Sequence, residues 1–187
     1  YTHEAHDAPA PQSHASMAWA LVNGYLESRY RYPRRPSWPT AGNVLVPLLP
    51  MLKWKLDYFA RHQPPPKAAG ELLLDYGCGN GEFMARAAAA GWSVFGYEWD
   101  ESAASAARQR GLKVATGNLA ALGIPARSVS RITMAHVVEH LLDPRASLQD
   151  CLRLLRPGGS IWIATPSVHA LSHRVYGSAW RGLETPR

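Results

Sequence analysis

The chain has 187 residues, 47% of them apolar, which suffices for one compact core with some additional helices and falls short of two full domains. A net charge of +6 and a pI of about 9.6 come without any block of five or six like charges, so they describe a solvated basic surface rather than a polyanion-binding tail. The longest apolar stretch, NVLVPLLPML at 43–52, is well under the ~20 residues of a membrane span, and two distant cysteines, Cys78 and Cys151, exclude a disulfide framework or zinc ribbon and fit a reducing cytoplasm.

The opening YTHEAHDAPAPQ has no basic region followed by an apolar run, so no secretory leader is read there. Residues 1–12, rich in Pro and His, are expected to be poorly ordered. Ser13 is a candidate cap for a helix through ASMAWALVNGYLESRYRY, in which Met17, Leu21, Tyr25 and Leu26 recur at helical spacing. PRRPSWPTAG breaks that helix. A second amphipathic stretch, roughly 43–62, sets Leu48, Leu52, Lys55, Leu56 and Phe59 along one helix before QPPPKAAG ends it. Residues 1–66 thus read as a helical segment with a Pro-rich linker, and 67–187 as a separate domain.

From residue 71 the pattern changes to short apolar strands alternating with helices, the signature of an α/β domain with a parallel sheet. Strands are predicted at 71–76, 92–97, 112–116, 129–135 and 159–165, and helices at about 80–90, 101–110 and 144–156. Asp143 is placed to cap the last helix, with Pro144 in its first turn and PGG at 157–159 as its stop.

The chemistry gathers at LLLDYGCGNGEFMARA, residues 72–87. Gly77, Gly79 and Gly81 follow the first strand, where a glycine permits positive φ and lets a ligand approach the backbone. Glu98 ends the second strand about one βαβ unit later, at the place where a carboxylate accepts from ribose hydroxyls. A dinucleotide fingerprint needs glycine at the sixth position, which here is Glu82, and no Gly-Lys-Ser/Thr follows as in a P-loop. Glu82 and Asp75 repel a polyphosphate and suit a cationic amino acid group. The turn therefore reads as a site for a positively charged nucleoside.

LLLDYGCGNGEF, Glu98, GNLAALGIP, ITMAHVVEHLLDP and LRLLRPGGSIWIATPS, in that order over about residues 70–187, resemble the successive motifs of class I S-adenosylmethionine-dependent methyltransferases. HVVEHLLDP and WRGLETPR are similar to the ubiquinone-biosynthesis O-methyltransferase-like branch. The resemblance implies a doubly wound, Rossmann-like sheet of order 3-2-1-4-5, with N-terminal helices and with the family's last two strands apparently missing after Arg187. It implies S-adenosylmethionine as cofactor, held by Asp75, Gly77, Cys78 and Gly79 at the methionine end and by Glu98 at the ribose. Trp99 would lie against the adenine, Asn118 and Leu119 beside it, with Asn118 in place of the usual Asp, and His136 would end the fourth strand facing the cleft. Glu139 and His140 would position an acceptor or take its proton. Methyl transfer to a small molecule, most often to oxygen, is the implied activity. A non-catalytic domain of the same fold and a nicotinamide-dependent oxidoreductase are the alternatives.

HVVEH also matches the H-x-x-E-H zinc-peptidase pattern, which requires the motif inside a helix and a third ligand downstream. Here His136 closes the apolar strand SRITMA and only Asp143, Asp150 and Glu184 follow as carboxylates, so no metal site is assigned. His169 and His173 share helical spacing without an acidic third ligand. ESRYRYPRRPSW mixes stacking and phosphate-binding residue types, but it is short and proline-broken, which disfavours nucleic acid as the acceptor. Trp54 between Lys53 and Lys55 suits peripheral contact with a membrane surface. The open edge of the fifth strand would allow oligomers.

Overall fold

The protein's structure, a computed structural model, describes residues 17–167, 169, 170, 174, 175 and 177. Residues 1–12, the cap expected at Ser13, His173 and WRGLETPR lie outside the described residues. The chain divides into two compact units, Tyr1–Pro64 and Pro65–Arg187.

The first unit contains helices α1 (Met17–Tyr30), α2 (Pro39–Leu45) and α3 (Pro50–Phe59), with a 3₁₀ turn at Val46–Leu48. Helix α1 turns Ala20, Tyr25, Leu26 and Tyr30 inward, whereas Met17, expected on the same face, is exposed. Helices α1 and α2 meet backbone to backbone. A Cβ at Gly24 would lie 2.1 Å from the Trp38 carbonyl oxygen, and one at Gly42 would lie 2.3 Å from that of Leu21. Only glycine fits that crossing. The single helix expected over 43–62 is instead three short pieces, because Pro47 and Pro50 have no N–H to continue a ladder and each opens a new element. Asp57, buried on α3, ties that helix to α1. It accepts from the hydroxyls of Tyr25 at 2.6 Å and Tyr30 at 2.7 Å through Oδ1, and from Lys53 Nζ at 2.6 Å through Oδ2.

The second unit is a five-stranded sheet of order β3-β2-β1-β4-β5, parallel throughout, as the sequence motifs implied. Its strands are β1 (Leu72–Tyr76), β2 (Ser93–Tyr97), β3 (Val114–Ala115), β4 (Val129–Ala135) and β5 (Leu155–Ala164). Helices α4 (Glu82–Ala89), α5 (Glu101–Gln109) and α6 (Pro144–Leu154) cross between them. Leu74, Tyr76, Ile132 and Met134 form one buried layer with Val137 and Cys151. Burial raises the Cys151 thiol to about 12. Asp143 caps α6 as expected, its carboxylate accepting from Ala146 N at 2.9 Å.

The PGG stop for α6 is corrected: the helix already ends at Leu154, and Pro157, Gly158 and Gly159 lie inside β5. The register explains how. Val129 pairs with Leu155 but Arg131 with Ser160, so the strand carries extra residues there, with Gly158 at φ 75° and no demand on the missing Pro157 N–H.

Candidate active site

The parallel sheet brings the carboxyl ends of β1, β2 and β4 to one edge, and the loops beyond them hold most of the predicted residues. Gly77 and Cys78 both donate their amides to the Tyr97 carbonyl, at 2.7 and 3.2 Å. Gly79 N donates to Glu98 Oε2 at 2.8 Å, and Gly81 N to the Cys78 carbonyl at 3.1 Å. Glu82 N is capped by Asn80 Oδ1 at 3.2 Å. These amides, which a diphosphate would need, are already donated within the protein. The turn is held together by its own hydrogen bonds.

Three glycines serve three purposes. At Gly77, φ 76°, an added Cβ would strike Val137 Cγ2 at 2.3 Å and lie 3.5 Å from Trp99 Cη2. At Gly81, φ 80°, it would strike Leu112 Cδ1 at 2.5 Å, so that glycine seats α4 against its neighbours. At Gly79, φ 55°, it would meet nothing within 4 Å. Gly79 is the position where the backbone faces open space.

Glu98 is 6% exposed, and it accepts from Asp100 N at 3.1 Å through Oε1 in addition to Gly79 N. A carboxylate has about four acceptor directions, so capacity remains for the two hydroxyls of a ribose. Asp100 continues as the cap of α5, accepting from Ser102 N at 2.9 Å. Trp99 stands between these two acids, 47% exposed, with its ring edge near Gly77.

Asp75 is not in the bend, where the sequence placed its charge, but in the interior of β1. It is fully buried, and its Oδ1 accepts from Thr133 Oγ1 of β4 at 2.8 Å. Its place in the sheet decides this: β1 is buried on both faces, and Asp75, paired with Gly96, still belongs to the ladder. Cys78 is buried beside Gly96, with its Sγ donating to the Gly79 carbonyl at 3.7 Å. It shapes the turn from beneath.

Asn118 is exposed in the loop after β3, and its carbonyl receives Ala121 N at 3.0 Å. Leu119 packs on the core layer. The Tyr97 hydroxyl donates to the Gly117 carbonyl at 3.3 Å, which holds this loop near the end of β2.

His136 follows β4 with φ 55°, its amide donating to the Ala164 carbonyl at 2.7 Å. A 3₁₀ turn at Val138–His140 comes next. Glu139 is drawn between two elements: Oε1 lies 3.5 Å from His136 Nδ1, and Oε2 accepts from Thr165 Oγ1 at 3.0 Å. His140 is exposed beside it. HVVEH is therefore a strand exit and a turn, not the helix that a zinc peptidase uses to present both histidines on one face. Thr133, Thr165 and Asp100 escaped the sequence reading; the two threonines act through partners on distant elements, Asp75 and Glu139. Of these, only Asp100 carried a local signal, as an acid before a helix start.

A concavity of about 630 Å³ lined by Arg127, Arg153 and Arg156 lies at the amino ends of β4 and β5, away from the glycine turn.

Residues 74–163 match the family model described as a methyltransferase domain. The sheet order is that of the Rossmann-like methyltransferase fold, and over these residues the chain is similar to the class I S-adenosylmethionine-dependent methyltransferases. It is similar to a Mycolicibacterium smegmatis protein named "Probable S-adenosylmethionine-dependent methyltransferase", 32% identical over 126 residues, covering 64% of this chain and 49% of that protein. It is also similar to a ubiquinone biosynthesis O-methyltransferase of Aromatoleum aromaticum, 31% identical over 135 residues, covering 68% and 56%. The chain thus spans about half the length of these relatives. A solved S-adenosylmethionine-dependent methyltransferase from Archaeoglobus fulgidus shares the fold, with a TM-score of 0.52 and 21% identity over 75% of this chain and 61% of that one. Among the described residues no helix is long and apolar enough to cross a membrane.

Proposed function

We propose that the chain binds S-adenosylmethionine at the Gly77–Gly81 turn and catalyses methyl transfer to a small-molecule acceptor, with oxygen as the receiving atom. The observation that carries this is the spent amide ladder of the turn beside a carboxylate with acceptor capacity to spare. Such a site suits a cationic nucleoside and disfavours a dinucleotide. When bound, the cofactor supplies a methyl group on a positively charged sulfur.

The residues divide the work. Glu98 holds the ribose hydroxyls, and Trp99 offers a ring face to the adenine. Gly77 and Gly79 keep side chains out of the approach, while Asp75 and Cys78 set the turn from below. Asn118 accepts from the adenine amino group through its amide oxygen, with Leu119 packed behind and His136 at the cleft edge. Glu139, steadied by Thr165, orients the acceptor, and His140 takes the acceptor's proton on an imidazole nitrogen. Alignment in a dry cleft supplies most of the rate and proton removal a smaller share. On this reading the domain is Pro65–Arg187, acting in the cytoplasm on a metabolite rather than on nucleic acid, with Tyr1–Pro64 as a separate helical unit.

Incubation of the full-length protein with methyl-labelled cofactor and a metabolite extract tests the proposal. Label should pass to a small organic acceptor. Label appearing only in nucleic acid, or nowhere while the cofactor binds, would refute it, the second result pointing to a domain that retains the fold without catalysis.

A further inference from the structure

Residues 44–55 of the helical unit present large apolar side chains to solvent. Leu48 is 71% exposed and Met51 70%, and Val44, Leu49 and Trp54 are each more than half exposed. Scattered apolar side chains on a surface are ordinary, whereas a larger apolar set rimmed by polar residues marks a place of association. The set lies along the stretch where the two prolines interrupt the helix, at Val46–Leu48 and again at Pro50. On α3 the exposed Met51, Trp54 and Lys55 stand at i, i+3 and i+4 on one face, while Asp57 and Ala60 face the interior. The Trp54 ring is supported by Tyr58, at 5.6 Å between centroids.

We propose that the face from Val44 to Lys55 docks on an anionic lipid surface. Charge selects this occupant. Residues 17–64 contain seven lysines and arginines against two acids, Glu27 and Asp57. Both acids are engaged inside the unit, Glu27 with Arg35 and Ser37, Asp57 with Lys53 and two tyrosines. A second copy docking through the same face would bring two units of net positive charge together. A layer of anionic headgroups meets those cations, and the acyl boundary beneath it accepts Leu48, Met51 and the body of Trp54. Lys55 can lay its stem along the apolar side chains and keep its ammonium among the headgroups. This surface is independent of the methyl-transfer chemistry.

The test is co-sedimentation of the full chain with phosphatidylcholine vesicles, with or without about 30% phosphatidylglycerol, at low and high salt. Binding to the anionic vesicles, weakened by salt, is expected. The paired substitutions L48D and M51D should lower it by about tenfold or more, with an unchanged circular dichroism spectrum because both positions are solvent-exposed. K55E alone should lower it several-fold. Absence of binding, equal binding to both vesicle types, or a dimer in solution that the same substitutions dissolve would overturn the assignment.

Discussion

Gly79 gives its amide hydrogen to the Glu98 carboxylate at 2.8 Å, joining the bend after β1 to the end of β2 across nineteen residues of chain. The bond gives the glycine turn a fixed acidic neighbour. It also makes Glu98 a structural residue as well as a proposed ligand for the cofactor, and the two roles can be separated. In E98Q the side-chain amide keeps an oxygen that can receive Gly79 N but loses charge and acceptor capacity. S-adenosylhomocysteine affinity is expected to fall about tenfold or more, against a stability loss of about 1–2 kcal/mol. Calorimetric titration and thermal unfolding of the same variant read the two effects.

The glycines of the turn predict a graded series. Gly77→Ala drives a methyl group into Val137 and should destabilise the fold by about 2 kcal/mol or more, a steric cost on top of the left-handed φ. Gly79→Ala meets no protein atom and should cost only about 1–2 kcal/mol from its φ. Ligand affinity should suffer more at Gly79 than its stability does. Denaturant unfolding with and without S-adenosylhomocysteine checks the order.

Asp57 predicts how the helical unit responds to acid. Burial pushes its pKa up, but hydrogen bonds from Lys53, Tyr25 and Tyr30 outweigh burial and leave it below the ordinary value. A carboxylate depressed in the folded state contributes stability above its unfolded pKa of about 4 and loses that contribution as the pH falls through the lower, folded value. Asp57→Asn should remove this acid-dependent share while retaining most of the shape. Near-ultraviolet circular dichroism of the tyrosines between neutral and strongly acid pH is the measurement, and a variant with the same acid midpoint as the parent contradicts the assignment.

Cys151 has no exposed surface and its thiol is raised to about 12. It should resist alkylation at pH 8 in the folded protein and react only on unfolding. Mass spectrometry after pulsed labelling reads the rate, and rapid reaction under native conditions would contradict its place beneath the sheet.

How far the sequence led varies by element. The strands ending at Tyr76, Tyr97 and Ala135 were legible because short apolar runs stop at glycines or polar residues, and α6 because Asp143 and Pro144 mark a helix start chemically. Glu98 was legible from its spacing to the glycines. What stayed hidden depends on contacts between distant residues. Nothing near Asp75 in the chain announces that Thr133 will donate to it in the interior, and nothing near Glu139 announces Thr165. The β5 start was missed because Pro157 and the paired glycines look like a stop, while the sheet absorbs them in a register jump. The helix drawn over 43–62 gave too much weight to apolar spacing and too little to Pro47 and Pro50.

The most direct test is calorimetric titration of the chain with S-adenosylhomocysteine and, separately, with NADH. Binding of the sulfur nucleoside alone, weakened in E98Q, is the predicted result. Binding of NADH in its place would show that the turn accepts a diphosphate after all, and binding of neither would leave a methyltransferase fold without its cofactor.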